Sequence, residues 1–67
     1  MIAEFQDGRR GMDMKIRTEK FSVLVKPKDG GYYLNIFHKL GRHWEGFITQ
    51  LTKPQARILY RALYRTI

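Results

Sequence analysis

The chain is 67 residues long, which limits it to one domain, and a domain that short buries only about 60% of the surface its unfolded chain exposes. It has no cysteine, so disulfides and thiolate metal sites are excluded, and His38 and His43 show no carboxylate or cysteine at ligand spacing. Thirteen Lys and Arg against six Asp and Glu give a formal charge of +7, a field that attracts polyanions, of which nucleic acid is the commonest.

In chain order, Ile2 to Gln6 is either a strand pairing across Asp7-Gly8-Arg9-Arg10-Gly11 or a loose tail, so residues 1–11 carry both readings. Glu4 and Asp7 interrupt its apolar positions and no apolar core follows, so no signal peptide is expected. No stretch is long and apolar enough to span a bilayer, and a cytoplasmic location is expected, the host cytoplasm if the protein is viral. Met12, Met14 and Ile16 alternate with Asp13, Lys15 and Arg17 and predict a strand. From Lys20 to Lys26, Phe21, Val23 and Val25 alternate with Ser22, Leu24 and Lys26, and Pro27 closes that strand or marks an edge.

Asp29-Gly30-Gly31 supplies the positive-φ positions of a tight turn. The strand Tyr32 to His38 follows, with Tyr32, Leu34, Ile36 and His38 on one face and Tyr33, Asn35 and Phe37 on the other. Lys39-Leu40-Gly41-Arg42 predicts the next turn. The strand His43 to Gln50 sets Trp44, Gly46, Ile48 and Gln50 against His43, Glu45, Phe47 and Thr49. Thr52 with Gln55 three residues later is a capping-box pattern, and Pro54 falls in the first turn, where its missing N–H does no harm. Ala56, Leu59, Tyr60, Leu63 and Ile67 then form one helical stripe with Tyr64 on its edge. The predicted fold is α+β: a four-stranded antiparallel meander, or five-stranded if Ile2–Gln6 pairs, followed by one C-terminal helix on a single face.

The carboxylates are spread singly, with no nucleophile signature, phosphate-cradling glycine loop or metal spacing, so neither catalysis nor a cofactor or metal is expected. A His38–His43 pair meeting across the hairpin as the base of a nuclease is the one enzymatic alternative. Binding is better supplied. One helix covers one sheet face, and the middle strands are rich in aromatics: Tyr32, Tyr33, Phe37, Trp44 and Phe47. Lys26, Lys28, Lys39, Arg42 and His43 flank them. Rings that stack bases beside cations that follow phosphates are what a single strand of nucleic acid needs. Tyr32, Leu34 and Ile36 read as the core side, leaving Tyr33, Asn35 and Phe37 on the open face.

On the helix, Arg57, Arg61 and Arg65 recur every fourth residue as a basic row without an acidic partner. Arg57 and Arg61 are candidate phosphate contacts. Ile58 and Ala62, with Arg65 beside them, form a strip suited to a homodimer contact, the expected source of buried area for so small a chain. An acidic protein partner, as for a small phage protein that blocks a host protein, is the competing use of the same basic aromatic surface.

The strand Phe21-Ser22-Val23-Leu24-Val25, the aromatic strand Tyr32-Tyr33-Leu34-Asn35-Ile36, and Gly46-Phe47-Ile48-Thr49-Gln50-Leu51-Thr52 leading into Pro54-Gln55 and the helix resemble the positive-cofactor-four family of transcription coactivators. The likeness spans Phe21 to Leu63 and extends to the family's bacterial and phage relatives and the related whirly fold. It implies a small homodimer of a four-stranded sheet plus C-terminal helix that binds single-stranded DNA, with the helix at the dimer interface. Where that family has an Ile-Arg pair and an aromatic, this chain has Ile36-Phe37-His38. Its Pro-Gly-Lys-Lys-type cluster is replaced by Gly41-Arg42-His43-Trp44-Glu45, so Lys39, Arg42, His43 and Trp44 stand in for it. A second likeness is to the arm-type domains of phage integrases, which also place a Thr before a Gln-Ala helix, as in Thr52, Gln55 and Ala56, and which read duplex DNA with their sheet.

Overall fold

The computed structural model describes all residues, 1–67. Five strands, β1 (Ile2–Gly8), β2 (Gly11–Arg17), β3 (Phe21–Lys28), β4 (Gly31–Leu40) and β5 (His43–Leu51), are followed by one helix, α1 (Lys53–Thr66). Each strand pairs antiparallel with the next, so the sheet order is the chain order. The N-terminal segment is therefore a strand rather than a tail, and the sheet has five members.

The turns explain the meander. Asp29 and Gly30 both take positive φ, 48° and 80°, which is the two-residue turn whose twist suits a hairpin, and Gly31 already belongs to β4. The β4–β5 turn is equally tight. Leu40 pairs with His43, and only Gly41, at φ 63°, and Arg42 lie between, so β4 runs further than His38. Thr18 closes the β2–β3 turn, its Oγ1 accepting from the N–H groups of Lys20 at 3.1 Å and Phe21 at 3.0 Å. Pro27 does not end β3. The β2–β3 ladder runs from Met14↔Val25 to Arg17↔Ser22, so at Pro27, which pairs with Tyr32, the strand is locally an edge and no N–H is missed.

One face of the sheet carries the core. Met12, Met14, Ile16, Val25, Tyr32 and Leu34 are buried there beneath Ala56 of α1. Tyr32 also ties β2 to β4 across β3, because the Met12 N–H donates to its Oη at 3.0 Å. That ring fits because position 11 is glycine: a Cβ there would come within 2.6 Å of the Tyr32 Oη. The helix begins as predicted. The Thr52 hydroxyl accepts from the Gln55 N–H, the Gln55 side chain accepts from the Thr52 N–H at 3.0 Å, and Pro54 sits in the first turn. Leu59, Tyr60 and Leu63 are half-buried on the core. Tyr60 and Tyr64 meet Phe5 of β1 edge-on, with ring centroids 5.6 and 5.2 Å apart.

The cover stops short. Every residue of β5 except Leu51 is exposed, and Phe21, Leu40 and Phe47 stand 41%, 45% and 56% exposed at the far end of the covered face. The accessible surface is 5350 Å², about 900 Å² above the roughly 4,450 Å² that a folded monomer of 8.0 kDa presents.

Candidate nucleic-acid interface

The register fixes what the helix-free face displays. Gln6 opposes Asp13, and Lys26 opposes Tyr33, which opposes Gln50. The next row is Glu4, Lys15, Leu24, Asn35 and Ile48, followed by Ile2, Arg17, Ser22, Phe37 and Gly46, and then Lys39 beside Trp44. Strand alternation places the predicted open set, Tyr33, Asn35 and Phe37, here, and the predicted core set, Tyr32, Leu34 and Ile36, beneath or beside the helix.

This face is concave. Gly46 explains why: a Cβ on it would lie 1.9 Å from the Ile36 carbonyl oxygen and 2.6 Å from the Phe37 Cα. Without a side chain, β5 can fold closely over β4 toward the open side. At one end of the sheet Ile2 of β1 and Trp44 of β5, four strands apart, border a single hollow with Arg17 and Lys39. Nearer the other end Lys28, Tyr33, Asn35, Ile48 and Gln50 line an open groove of about 910 Å³. Concavity also explains why Ser22, Leu24, Tyr33, Asn35 and Phe37 are only half exposed although no element lies over them. On the floor of this trough the Asn35 Oδ1 is shielded from solvent and has no hydrogen-bond partner.

Five cations stand on the trough, Lys15, Arg17, Lys26, Lys28 and Lys39, against Glu4 and Asp13 on the strands and Glu19 at the rim of the Trp44 hollow. Of these only Lys26 is paired, with its Nζ 3.7 Å from the Asp13 Oδ2. Trp44, 39% exposed, sits directly across from Lys39. Tyr33 and Phe37, four residues apart on one strand, are about 13 Å apart, with Asn35 between them.

The predicted binding residues divide between locations. Lys26, Lys28, Tyr33, Phe37, Lys39 and Trp44 are gathered on the trough. Arg42 is in the β4–β5 turn at its end. His43 belongs to the opposite face, opposite Leu40, and Arg57 and Arg61 are exposed on the helix, so these three are not brought to the trough. His43 also has a carboxylate partner unseen in the sequence: its Nε2 lies 3.1 Å from the Glu45 Oε1, two residues along the same strand face. Glu45, not His43, is the residue opposite His38. Ile58, Ala62 and Arg65 are all exposed, Ile58 at 70%, along the outer helix surface.

Sequence reasoning passed over Lys15 and Arg17, although their alternation with Met12, Met14 and Ile16 already assigned them to the face of Tyr33. It also gave no role to Arg9, Arg10 and Lys53, which line one cleft at the turn end of the sheet with Lys28 and Arg57. The glycine-flanked pair Gly8-Arg9-Arg10-Gly11 was the available signal.

No protein-family model, curated protein or solved structure matches the chain. No helix is long and apolar enough to cross a membrane.

Proposed function

We propose that the chain is a non-catalytic nucleic-acid-binding protein that holds single-stranded DNA in the open trough and acts as a homodimer in transcription or replication. The observation that carries this is the uncovered concave face on which Tyr33, Phe37 and Trp44 share the floor and wall with Lys15, Arg17, Lys26, Lys28 and Lys39. Bases stack on such rings for about 1–3 kcal/mol each while the cations follow the phosphates. Concavity favours a single strand over a duplex. A sheet that reads B-DNA enters a major groove about 12 Å wide, and a face whose edges rise around its aromatics does not enter it.

The homodimer rests on the surface ledger and on β5. The excess of about 900 Å² is close to the roughly 800 Å² each partner buries in a standard interface. An unpaired edge strand with Phe47 and Ile48 exposed on opposite faces, at 56% and 64%, is a natural place for a second copy. The strip Ile58, Ala62 and Arg65 is the other apolar surface available to it. Resemblance to the positive-cofactor-four family points to the same assembly and ligand.

The test is a fluorescence-anisotropy titration of single-stranded DNA, duplex DNA and RNA of equal length at two salt concentrations. Single strands are expected to win, with Trp44 emission quenched and log affinity falling by about 0.7 per phosphate contacted for each decade of salt. Phe37→Ala and Trp44→Ala should each weaken binding by about 5- to 150-fold, the equivalent of one lost stack. Duplex binding that equals single-strand binding, or ring variants that bind like the parent, would overturn the proposal.

A further inference from the structure

At the turn end of the sheet a second cationic feature lies outside the trough. The Gly8–Gly11 turn, the Asp29–Gly30 turn and the start of α1 enclose a cleft of about 460 Å³ into which Arg9, Arg10, Lys28, Lys53 and Arg57 converge. Asp7 and Asp29 line the same cleft, yet neither forms an ion pair: the molecule's two pairs are Lys26–Asp13 and His43–Glu45. All five cations are therefore unpaired. Concentrating them there opposes folding, because like charges at close quarters repel and because the first helical turn, which holds Lys53 and no acidic residue, favours negative charge. The backbone of that turn adds little attraction to an anion: Pro54 has no N–H, and the N–H groups of Gln55 and Ala56 are taken by Thr52, which leaves only that of Lys53. The cleft is a site of side chains.

Its position gives it a use. Lys28 lines both this cleft and the groove at Tyr33, Asn35 and Gln50, so trough and cleft meet around the β3–β4 turn. We infer that the cleft is a second phosphate-binding site, which takes the backbone of a nucleic-acid strand that leaves the trough over Lys28 and passes onto Arg9, Arg10 and the start of the helix. The inference rests on the single-strand reading for its ligand, but the affinity of the cleft for clustered phosphates does not. Arg57, separated from the trough in the fold, thereby regains the role its sequence pattern suggested, while Arg9, Arg10 and Lys53 acquire one.

Two measurements separate the cleft from the trough. Tripolyphosphate, which has no bases to stack, should raise the thermal midpoint of the parent and not that of Arg9→Glu/Arg10→Glu, whose exposed turn positions tolerate the change. An equal rise in both would overturn the site, whatever the trough does. Against oligonucleotides of increasing length, the double variant should match the parent on strands too short to leave the trough. On longer strands it should lose about tenfold or more, with a salt slope shallower by about 1.4 for the two lost contacts. Parent-like affinity and slope at every length would remove the strand path. Lys53→Glu supplies a signature that damage to the fold cannot mimic: the free protein should melt higher, because the helix start gains an acidic residue, while tripolyphosphate and long strands bind more weakly. A variant that melts lower, or binds as the parent does, would contradict the electrostatic conflict from which the site is inferred.

Discussion

Strands β2 and β5 both carry large apolar residues and meet opposite fates. In β2 every second side chain, Met12, Met14 and Ile16, is at most 1% exposed, with Ala56 and the Phe5–Tyr60–Tyr64 aromatic group closing the layer above. In β5 the adjacent apolar residues Phe47, on one face, and Ile48, on the other, remain more than half exposed. Patterning accounts for part of the contrast, because β2 gathers its apolar residues on one face and β5 divides them between two. The direction of α1 accounts for the rest: leaving the end of β5 at Thr52, the helix crosses back over the sheet toward β1, so its only buried residue, Ala56, and its half-buried Leu59, Tyr60 and Leu63 cover the early strands and leave the strand that launched it bare. A chain of 67 residues has one helix's worth of cover. It spends that cover on β2 to β4 and leaves β5 and the trough bare.

The largest effect that tests this division is on stability. Met14→Ala removes a side chain at 0% exposure and should cost about 2–5 kcal/mol, while Phe47→Ala should cost under about 1 kcal/mol in the dilute monomer. A domain of this length has roughly 3–10 kcal/mol in all, so the first variant approaches global unfolding and the second does not. Urea denaturation of both checks it. Comparable losses would mean that β5 carries core weight its exposure does not reveal. Measured across protein concentration, Phe47→Ala becomes informative in another way, because a β5-mediated dimer would lose its concentration dependence.

The next effect sharpens the comparison by acting on β5 alone. Gly46→Ala places a methyl group where the Ile36 carbonyl and the Phe37 Cα already stand, and neither is a flexible side-chain end that can step aside. Strand β5 must move away from β4, at a cost of about 1–3 kcal/mol for overpacking. Hydrogen exchange is the measurement: amides bonded across β4 and β5 should lose protection while those between β1 and β2 keep theirs. Because the trough owes its concavity to this approach, single-strand affinity should fall along with protection. Loss of protection throughout the sheet would instead make β5 part of the same cooperative unit as β2.

Much of the fold was legible because it is written locally. Alternation in Tyr32 to His38 and in His43 to Gln50, the Asp29-Gly30 turn and the Thr52–Gln55 capping box each specify their element within a few residues, and Tyr33, Asn35 and Phe37 fall on the predicted face. What was not legible depends on distant partners. Strand β1 has Ile2 on the open face and Phe5 on the covered one, so it shows no clean alternation, and Phe5 finds its neighbours, Tyr60 and Tyr64, only through the tertiary fold. Pro27 reads as either a strand end or an edge, and only the register decides for the edge, because β2 leaves the ladder at Met14. The trough was half legible. Its aromatics follow from alternation, its curvature from an unremarkable glycine at position 46, and the cleft of Arg9, Arg10 and Lys53 from the meeting of two turns with a helix start.

The smallest expected effect concerns the contact that anchors the covered half, and it is read through pH. Tyr60 packs against both Phe5 and Tyr64, stacked on the latter at 6.2 Å, and its phenol is held above the ordinary value of 10.0, first by desolvation, then by the negative charge of Asp7, then by Tyr64. The unfolded chain releases this proton near 10.0, whereas the folded protein retains it to higher pH. In that interval the unfolded state binds fewer protons, so stability must fall as pH rises; below the interval the contribution is fully present. Tyr60→Phe keeps the ring and removes the proton. It should therefore leave stability near neutral pH almost unchanged and flatten the decline above pH 10.0 relative to the parent. Urea midpoints taken from pH 8 upward would show it, and Tyr64→Phe, which removes only the last of the three causes, should flatten the decline less. An unaltered alkaline slope in Tyr60→Phe would mean that the ring is not desolvated at its hydroxyl and that the helix covers β1 less closely than it covers β2.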